Sequence, residues 1–149
     1  MTLKRTSLVA GAAIGLAIAN AALFAPSASA AGNTWIRSST TGYCITAAPN
    51  GSVSGQTCRS GDLSQLWARV GSQIKRAYAN QCLDSNANGN VYWLECNGGN
   101  YQNWDYQASG QYLLAKNRQT GNWLYNIPNS TTVIATSRTA DYWWFSGGE

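Results

Sequence analysis

Short runs of alternating apolar and polar residues, separated by turn-forming clusters, make up most of the chain after its first thirty residues. The clearest run starts at Val91, which shares one face of an extended strand with Trp93, whereas Tyr92 and Leu94 fall on the other face. The Asn- and Gly-rich stretch 86–90 before it is typical of a tight turn. No amphipathic segment of helical length occurs in this part of the chain. The pattern predicts an all-β fold.

One set of residues recurs three times along the chain. The stretches TGYCI around Cys44, NQCL around Cys82 and TGNWL around Trp123 align at intervals of 38 and 41 residues. An apolar residue precedes each of these markers by eight or nine positions, namely Ile36, Ile74 and Leu114. A tryptophan follows each marker after 23, 22 or 21 positions, namely Trp67, Trp104 and Trp144. Internal similarity at a fixed period indicates one repeated structural unit.

Each repeat is expected to form four short strands. The second repeat shows this best, with strands near Ile74 and Cys82, the alternating run from Val91, and a last strand at Trp104. The sequence therefore predicts twelve strands in three repeats, which span about residues 33–71, 74–111 and 112–149.

The first thirty residues follow a different pattern. Lys4 and Arg5 precede an apolar run rich in alanine and glycine, which ends at an A-x-A sequence, residues 28–30. This predicts a secretory signal peptide, residues 1–30, whose removal leaves a single domain of residues 31–149. The apolar run also approaches the length that spans a bilayer, so an uncleaved membrane anchor is the alternative. The small residues favour the signal peptide, and the domain is then expected to be secreted and extracellular, without membrane contact.

Four cysteines in an exported chain predict disulfide bonds. Cys44 and Cys58 are fourteen residues apart, and Cys82 and Cys96 have the same separation. Of the three possible pairings, the equal spacings favour two local bridges, Cys44–Cys58 and Cys82–Cys96, each within one repeat. The chain has no histidine and no C-x-x-C pair, so we expect neither a metal site nor a cofactor.

The charge balance argues against a nucleic-acid partner. Without the first thirty residues, eight Lys or Arg face six Asp or Glu, a net charge of about +2. The basic residues form no cluster beyond Lys75 and Arg76. Binding to phosphates requires a basic face that releases counterions, and this chain lacks one.

The three repeats resemble the ricin B-chain type lectin family. The resemblance rests on a Cys-Leu or Cys-Ile pair, a G-x-V sequence, a second cysteine and Gln-x-Trp. It is closest over residues 75–108, clear over 33–71 and weaker over 112–146. In the weakest part, Trp123 and a polar residue near Ser137 replace the cysteines, and Tyr-Trp-Trp replaces Gln-x-Trp. The resemblance implies a β-trefoil, in which six strands form a barrel and six form three capping hairpins.

The resemblance also implies where a sugar would bind. In that family an Asp lies two residues after the first Cys, an aromatic residue lies two before the second Cys, and an Asn precedes the Gln of Gln-x-Trp, which supports the Asp. In the second repeat Asp84 and Gln102 match, but Leu94 stands at the aromatic position and Tyr101 at the Asn position. Tyr92 and Tyr101 are the candidates to supply an aromatic face from another direction.

The first and third repeats match this set less well. The first keeps only Gln65 and has Thr46 at the Asp position, and the third has Tyr125 there. The sequence therefore predicts at most one sugar pocket, in the second repeat. The alternative is that Asp84 is a turn-capping carboxylate without a ligand.

Two aromatic residues near the end of the chain allow two interpretations. By alternation Trp143 and Phe145 point away from Trp144, which the repeat alignment places in the core. They either pack against Trp35 or form an exposed patch that binds another protein.

The chain is not expected to be an enzyme. Without histidine, and with its cysteines paired, it has no Ser-His or Cys-His relay. A glycosidase would need two carboxylates at a set separation. The sequence predicts a secreted carbohydrate-binding module whose partner is a glycan. The alternative is a trefoil that has lost sugar binding and serves as a protein-binding adaptor of a larger secreted toxin or cell-wall assembly, or as an inhibitor.

Overall fold

The structure, a computed structural model, describes residues 32–148, so the predicted signal peptide lies outside the described residues. Twelve strands make up the described chain, which confirms the all-β prediction: β1 (Trp35–Ser38), β2 (Cys44–Ala47), β3 (Val53–Gln56), β4 (Trp67–Val70), β5 (Gln73–Arg76), β6 (Gln81–Ser85), β7 (Val91–Glu95), β8 (Trp104–Ser109), β9 (Tyr112–Asn117), β10 (Trp123–Asn126), β11 (Val133–Thr136) and β12 (Trp143–Ser146). Two single 3-10 turns, Leu63–Gln65 and Asn100–Gln102, precede β4 and β8.

Six strands form a closed barrel. The pairs β4–β5, β8–β9 and β12–β1 are antiparallel and hydrogen-bonded along their length. Single pairings join these three ribbons to one another, namely Thr34–Trp67, Gln73–Asn103 and Trp143–Leu113. A closed ring leaves no free strand edge that could pair with another chain.

The other six strands form three hairpins, β2–β3, β6–β7 and β10–β11, that cap the barrel. Each hairpin donates one backbone hydrogen bond to a neighbour and accepts one from the other. The three bonds are equivalent by position in the repeat: Gly55 N to Thr131 O (2.7 Å), Trp93 N to Gly51 O (2.9 Å) and Ala135 N to Gly89 O (2.8 Å). This threefold arrangement of barrel and hairpins is the predicted β-trefoil.

One tryptophan from each repeat anchors the core. The three side chains are at most 1% exposed, and each indole Nε1 donates to the backbone carbonyl of the residue that follows the first marker of its repeat. The pairs are Trp67 with Ile45 (3.0 Å), Trp104 with Leu83 (3.1 Å) and Trp143 with Leu124 (3.1 Å). Burial of a ring this large, with its one polar group satisfied, ties the last strand of each repeat to the second.

The third of these anchors corrects the repeat alignment. Trp143, and not Trp144, is the core residue; Trp144 is 39% exposed. The described residues between β11 and β12 form no 3-10 turn, so this connection is shorter than its counterparts and β12 starts one residue earlier than the spacing predicted. By the same register Ala115, and not Leu114, is the buried equivalent of Ile36 and Ile74.

Of the two interpretations of Trp143 and Phe145, the exposed patch is wrong, because Trp143 is buried in the core. Phe145 is half-buried and meets Tyr106 edge to face, with ring centroids 6.2 Å apart, and the guanidinium carbon of Arg69 lies 5.1 Å from the Phe145 centroid. These three residues each lie two positions after the core tryptophan of their repeat, so they meet inside the barrel. Trp35 lies elsewhere, against the two glycines that follow β12.

Both predicted disulfides are present. Cys44 pairs with Cys58 and Cys82 with Cys96, with Cα–Cα distances of 5.1 and 5.0 Å. Each bridge links the start of one hairpin to the residues just after it. In the third hairpin, Trp123 takes the place of the first cysteine and the Lys116 ammonium lies 5.1 Å from its ring.

Candidate functional site

The second hairpin brings Asp84 and Tyr92 together. The two residues are directly paired across β6 and β7, so their side chains lie on the same face. Asp84 is only 3% exposed, and its Oδ1 atom has no hydrogen-bond partner within the described part of the chain. A buried carboxylate oxygen without a donor is costly, and such atoms are rare unless a ligand or water completes them. This oxygen is the chemically distinctive atom of the hairpin.

The hydroxyl of Tyr92 shares this environment. The pKa of Tyr92 is raised to about 12, first by burial, then by its hydrogen bond to Asp84 and by the negative charge of that carboxylate, and last by Tyr101 nearby. The phenol therefore stays protonated at neutral pH and can donate a hydrogen bond.

Tyr101 and Leu94 occupy the sides of this site. Tyr101 lies in the 3-10 turn before β8 and is 40% exposed, so a face of its ring is open to solvent. Leu94 pairs with Cys82 and is half-buried, so it offers an apolar surface and no aromatic platform. The structure thus groups Asp84, Tyr92 and Tyr101 around one exposed aromatic ring.

Gln102 has a different role from the one that the resemblance implied. Its side chain is fully buried, its Nε2 donates to Glu95 O (3.0 Å), and its Oε1 accepts from Asn97 N (2.8 Å). It fixes the backbone on both sides of Cys96 and makes no hydrogen bond to Asp84. Gln102 therefore stabilises the backbone around Cys96, next to the site, and does not support the carboxylate directly.

The first repeat uses its glutamine in the same way. Gln65 Oε1 accepts from Arg59 N (2.7 Å), and its Nε2 donates to Thr57 O (2.9 Å), on either side of Cys58. The same amide also donates to the Thr46 hydroxyl (3.0 Å), which stands where the second repeat has Asp84. Because Thr46 is already satisfied from inside the protein, the first repeat presents no equivalent free acceptor.

Asp141 is a buried acid that the sequence analysis missed. It occupies the position of Gln65 and Gln102 in the third repeat, because β12 begins one residue earlier than predicted. Its carboxylate accepts hydrogen bonds from the Ser38 hydroxyl and from the Thr40 hydroxyl (2.8 Å). It therefore holds the loop between β1 and β2. The signal was the sequence Asp-Tyr-Trp, which keeps the spacing of Gln-x-Trp around the correct tryptophan.

The described residues hold no group of three or more His, Cys, Asp or Glu that could bind a metal ion. Within residues 32–148 there is also no helix of sufficient length and apolarity for a transmembrane span.

The family model of the ricin-type β-trefoil lectin domain matches residues 32–141. The chain belongs to this family. Lectins of this type are binding modules, so membership suggests a non-catalytic carbohydrate-binding module.

Three solved structures of lectins share this fold. The hemolytic lectin CEL-III superposes with a TM-score of 0.68 at 18% identity, over 77% of this chain and 30% of that one. SeviL bound to the asialo-GM1 saccharide gives a TM-score of 0.65 at 12% identity, over 80% and 99%. The β-trefoil lectin of the Vibrio vulnificus hemolysin/cytolysin, with N-acetyl-D-lactosamine bound, gives 0.63 at 19% identity, over 79% and 96%. At identities of 12–19%, these similarities show that the domain has the same fold as these lectins.

Proposed function

We propose that the protein is a secreted, non-catalytic lectin domain with one sugar site, in the second repeat, built from Asp84, Tyr92 and Tyr101. The unpartnered Oδ1 atom of Asp84 is the observation that supports this most directly. Because this atom is buried, a sugar hydroxyl would have to displace the side chains that cover it before it could donate the missing hydrogen bond. A hydrogen bond to a charged acceptor contributes roughly 1.5–3 kcal/mol.

The other two side chains complete the arrangement that sugar recognition needs. The neutral Tyr92 hydroxyl donates its one proton to Asp84, so its oxygen can accept a hydrogen bond from a second sugar hydroxyl. The exposed ring of Tyr101 provides an apolar surface for the carbon–hydrogen face of the sugar. Two charged or polar groups beside one aromatic ring suit a neutral sugar with adjacent hydroxyls.

The test is binding of neutral glycans to residues 31–149, first on a glycan array and then by calorimetric titration. N-acetyl-D-lactosamine and the asialo-GM1 saccharide are suitable first probes, because structurally similar lectins bind them. We expect Asp84→Asn to weaken binding about tenfold or more, since it keeps the shape and removes the charge. Thr46→Ala, at the same position of the first repeat, is the matched control and should bind as the wild type does.

A wild-type domain that binds no glycan at millimolar concentration would contradict the proposal. Equal losses in Asp84→Asn and Thr46→Ala would also contradict it, because the effect would then come from general destabilisation. The melting temperature of each variant, measured beside the titration, separates these cases.

The second candidate function is a protein-binding trefoil, either an adaptor within a larger secreted assembly or an inhibitor. It is favoured by the loss of the sugar-binding set from two repeats, where Thr46 and Tyr125 replace the acid, and by Leu94 at the aromatic position. This second function predicts that the domain binds no glycan on the array. It also predicts that a partner protein co-purifies with the tagged domain from culture fluid, where mass spectrometry identifies it.

A further inference from the structure

A second concave surface lies outside the Asp84 hairpin, where the first and last barrel strands meet. We define this seam cleft by the residues that line it. It has a volume of about 190 Å³ and is lined by Arg37, Ser38, Ser39, Gly42, Tyr112 and Trp144. No residue of the second hairpin contributes to it.

Aromatic rings form one side of the seam cleft. Trp144 is 39% exposed, and Tyr112 packs edge to face against Tyr142, which is 44% exposed, with ring centroids 6.3 Å apart. Rings with one open face are the surfaces on which the apolar side of a sugar ring packs.

A guanidinium group stands directly beside the indole. Arg37 is paired with Trp144 across β1 and β12, and its Nε donates to Gly42 O (3.2 Å), which fixes its orientation. Neither of the two ion pairs within residues 32–148 involves Arg37; they join Arg59 with Asp62 and Arg118 with Asp105. Its terminal nitrogens are thus open to an external carboxylate, which arginine binds in a planar, two-bonded geometry.

One acid, Asp141, lies behind the cleft and must be considered as an internal partner of Arg37. Its carboxylate is fully buried and accepts hydrogen bonds from the side chains of Ser38, Ser39 and Thr40. It therefore orders the serine side of the cleft without forming an ion pair with Arg37.

The other repeats show that the fold does not require this pair of residues. The position of Trp144 is Ala68 in the first repeat and Asp105 in the second, and the residues paired with these are Lys75 and Lys116. An exposed tryptophan beside an arginine is thus specific to the seam. Because equivalent barrel strands form without it, packing does not explain it.

We propose that the seam cleft is a second ligand site, which binds an acidic saccharide unit such as a uronic acid. Arg37 pairs with the sugar carboxylate, and Trp144 and Tyr112 pack against its ring. The site shares only its general ligand class with the function proposed above and is independent of Asp84.

The experiment is a nitrogen-15 NMR titration of residues 31–149 with methyl β-D-glucuronide and with methyl β-D-glucoside. The two probes differ only in a carboxylate in place of a hydroxymethyl group. We expect the glucuronide to shift the Trp144 indole and the Ser39 and Gly42 amides, and to bind about tenfold more tightly than the glucoside.

Three variants locate the effect. Arg37→Gln should abolish the preference for the glucuronide, and Trp144→Ala, which installs the residue of the first repeat, should weaken both probes about tenfold. Lys75→Gln, at the position of Arg37 in the second repeat, is the control and should leave binding unchanged.

Three outcomes would overturn the proposal: equal affinity for both probes, shifts confined to Asp84 and Tyr92, or an equal loss in Lys75→Gln. The variant Asp84→Asn separates the two proposals. If it weakens binding of N-acetyl-D-lactosamine but leaves the glucuronide shifts of Trp144, Ser39 and Gly42 intact, the two sites are independent. Loss of both sets of signals would show that only the Asp84 site exists.

Discussion

Tyr92 is held in its neutral form by its surroundings. Burial withdraws the hydroxyl from water, and the Asp84 carboxylate both accepts its hydrogen bond and disfavours a second negative charge nearby. The consequence is a phenol that keeps its proton across the neutral range, next to a carboxylate with one unpartnered oxygen. The site therefore offers a ligand one hydroxyl group beside one hydrogen-bond acceptor.

We expect Tyr92 to remain protonated at pH 10, where a tyrosine of the unfolded chain is about half ionised. Its folded-state pKa, about 12, lies above the unfolded value. Its contribution to stability is therefore complete below about pH 10 and is lost as the pH rises from there towards 12. Carbon-13 NMR of ring-labelled tyrosine, with Tyr92→Phe for assignment, measures this titration.

Asp84→Asn tests the cause of the shift. Because the charge and the charged acceptor are removed while burial remains, the pKa of Tyr92 should move part of the way back towards 10. An unchanged pKa in this variant would assign the whole effect to burial.

At this scale the sequence predicted which residue types meet, but not their hydrogen bonds. The resemblance selected Asp84, and Tyr92 and Tyr101 were the candidates to replace the aromatic ring that is missing at Leu94. The strand pairing shows that Asp84 and Tyr92 are neighbours; that these residues bind sugar stays a prediction. The role of Gln102 and the unpartnered, buried oxygen of Asp84 depend on the backbone path after β7, which follows from packing and not from residue spacing.

The last strand shows how an element can be predicted with the wrong register. Alternation correctly placed Trp143 and Trp144 on opposite faces of β12, but the spacing from Trp123 selected the wrong one. A shift of one residue moves every side chain of a strand to the other face. Because of the same shift, the role of Asp141 was not predicted. Trp144, which was predicted to lie in the core, lines the seam cleft instead.

Two substitutions in β12 test this register. Trp143→Ala should lower the free energy of unfolding by about 3–5 kcal/mol, because it empties a fully buried site. Trp144→Ala removes a side chain that is 39% exposed and should change it by about 1 kcal/mol or less. Urea denaturation followed by circular dichroism gives both values, and the reverse order would restore the alignment with Trp144 in the core.

The disulfides were predictable because their evidence is local. Each bridge closes a hairpin of fixed length, and the equal spacings of Cys44–Cys58 and Cys82–Cys96 follow from equal hairpins. The third hairpin has no such marker, and it is there that the connection lengths differ and the prediction failed.

The whole molecule depends on contacts between repeats. No repeat closes its own part of the barrel, and the hairpins are joined in a ring by one backbone hydrogen bond at each interface. The threefold repeat in the sequence predicted three equivalent units, and the resemblance to the ricin B-chain type lectin family implied that these units close into a β-trefoil. The seam cleft was not predictable, since it combines β1, β9 and β12 from opposite ends of the chain.

Gly89 tests the ring of hairpins. A β-carbon at this position would lie 2.3 Å from the backbone oxygen of Ala135, and the backbone φ is +81°. Gly89→Ala should therefore cost about 3 kcal/mol or more in stability, through overpacking added to the strain of a left-handed residue. Gly71→Ala, with a φ of +61° but open space around it, is the control and should cost about 1–2 kcal/mol.

Urea denaturation measures both glycine variants. A single transition at lower urea is expected for Gly89→Ala, because opening one interface weakens all three repeats together. Equal costs for the two variants would show that the contact with Ala135 carries no constraint beyond local strain.

The seam differs from the other barrel ribbons in its connectivity. Turns join β4 to β5 and β8 to β9, but no turn joins β12 to β1, which are held together by the backbone pairs from Trp35–Ser146 to Ser38–Trp143 and by the hydrogen bonds of Asp141 to Ser38 and Thr40. Under a pulling force applied at residues 32 and 148, these pairs would be loaded first and would open like a zipper from the Trp35 end. A saccharide bound to both Arg37 and Trp144, as proposed above, would hold β1 and β12 together. The force needed to separate the two strands would then be higher when the cleft is occupied.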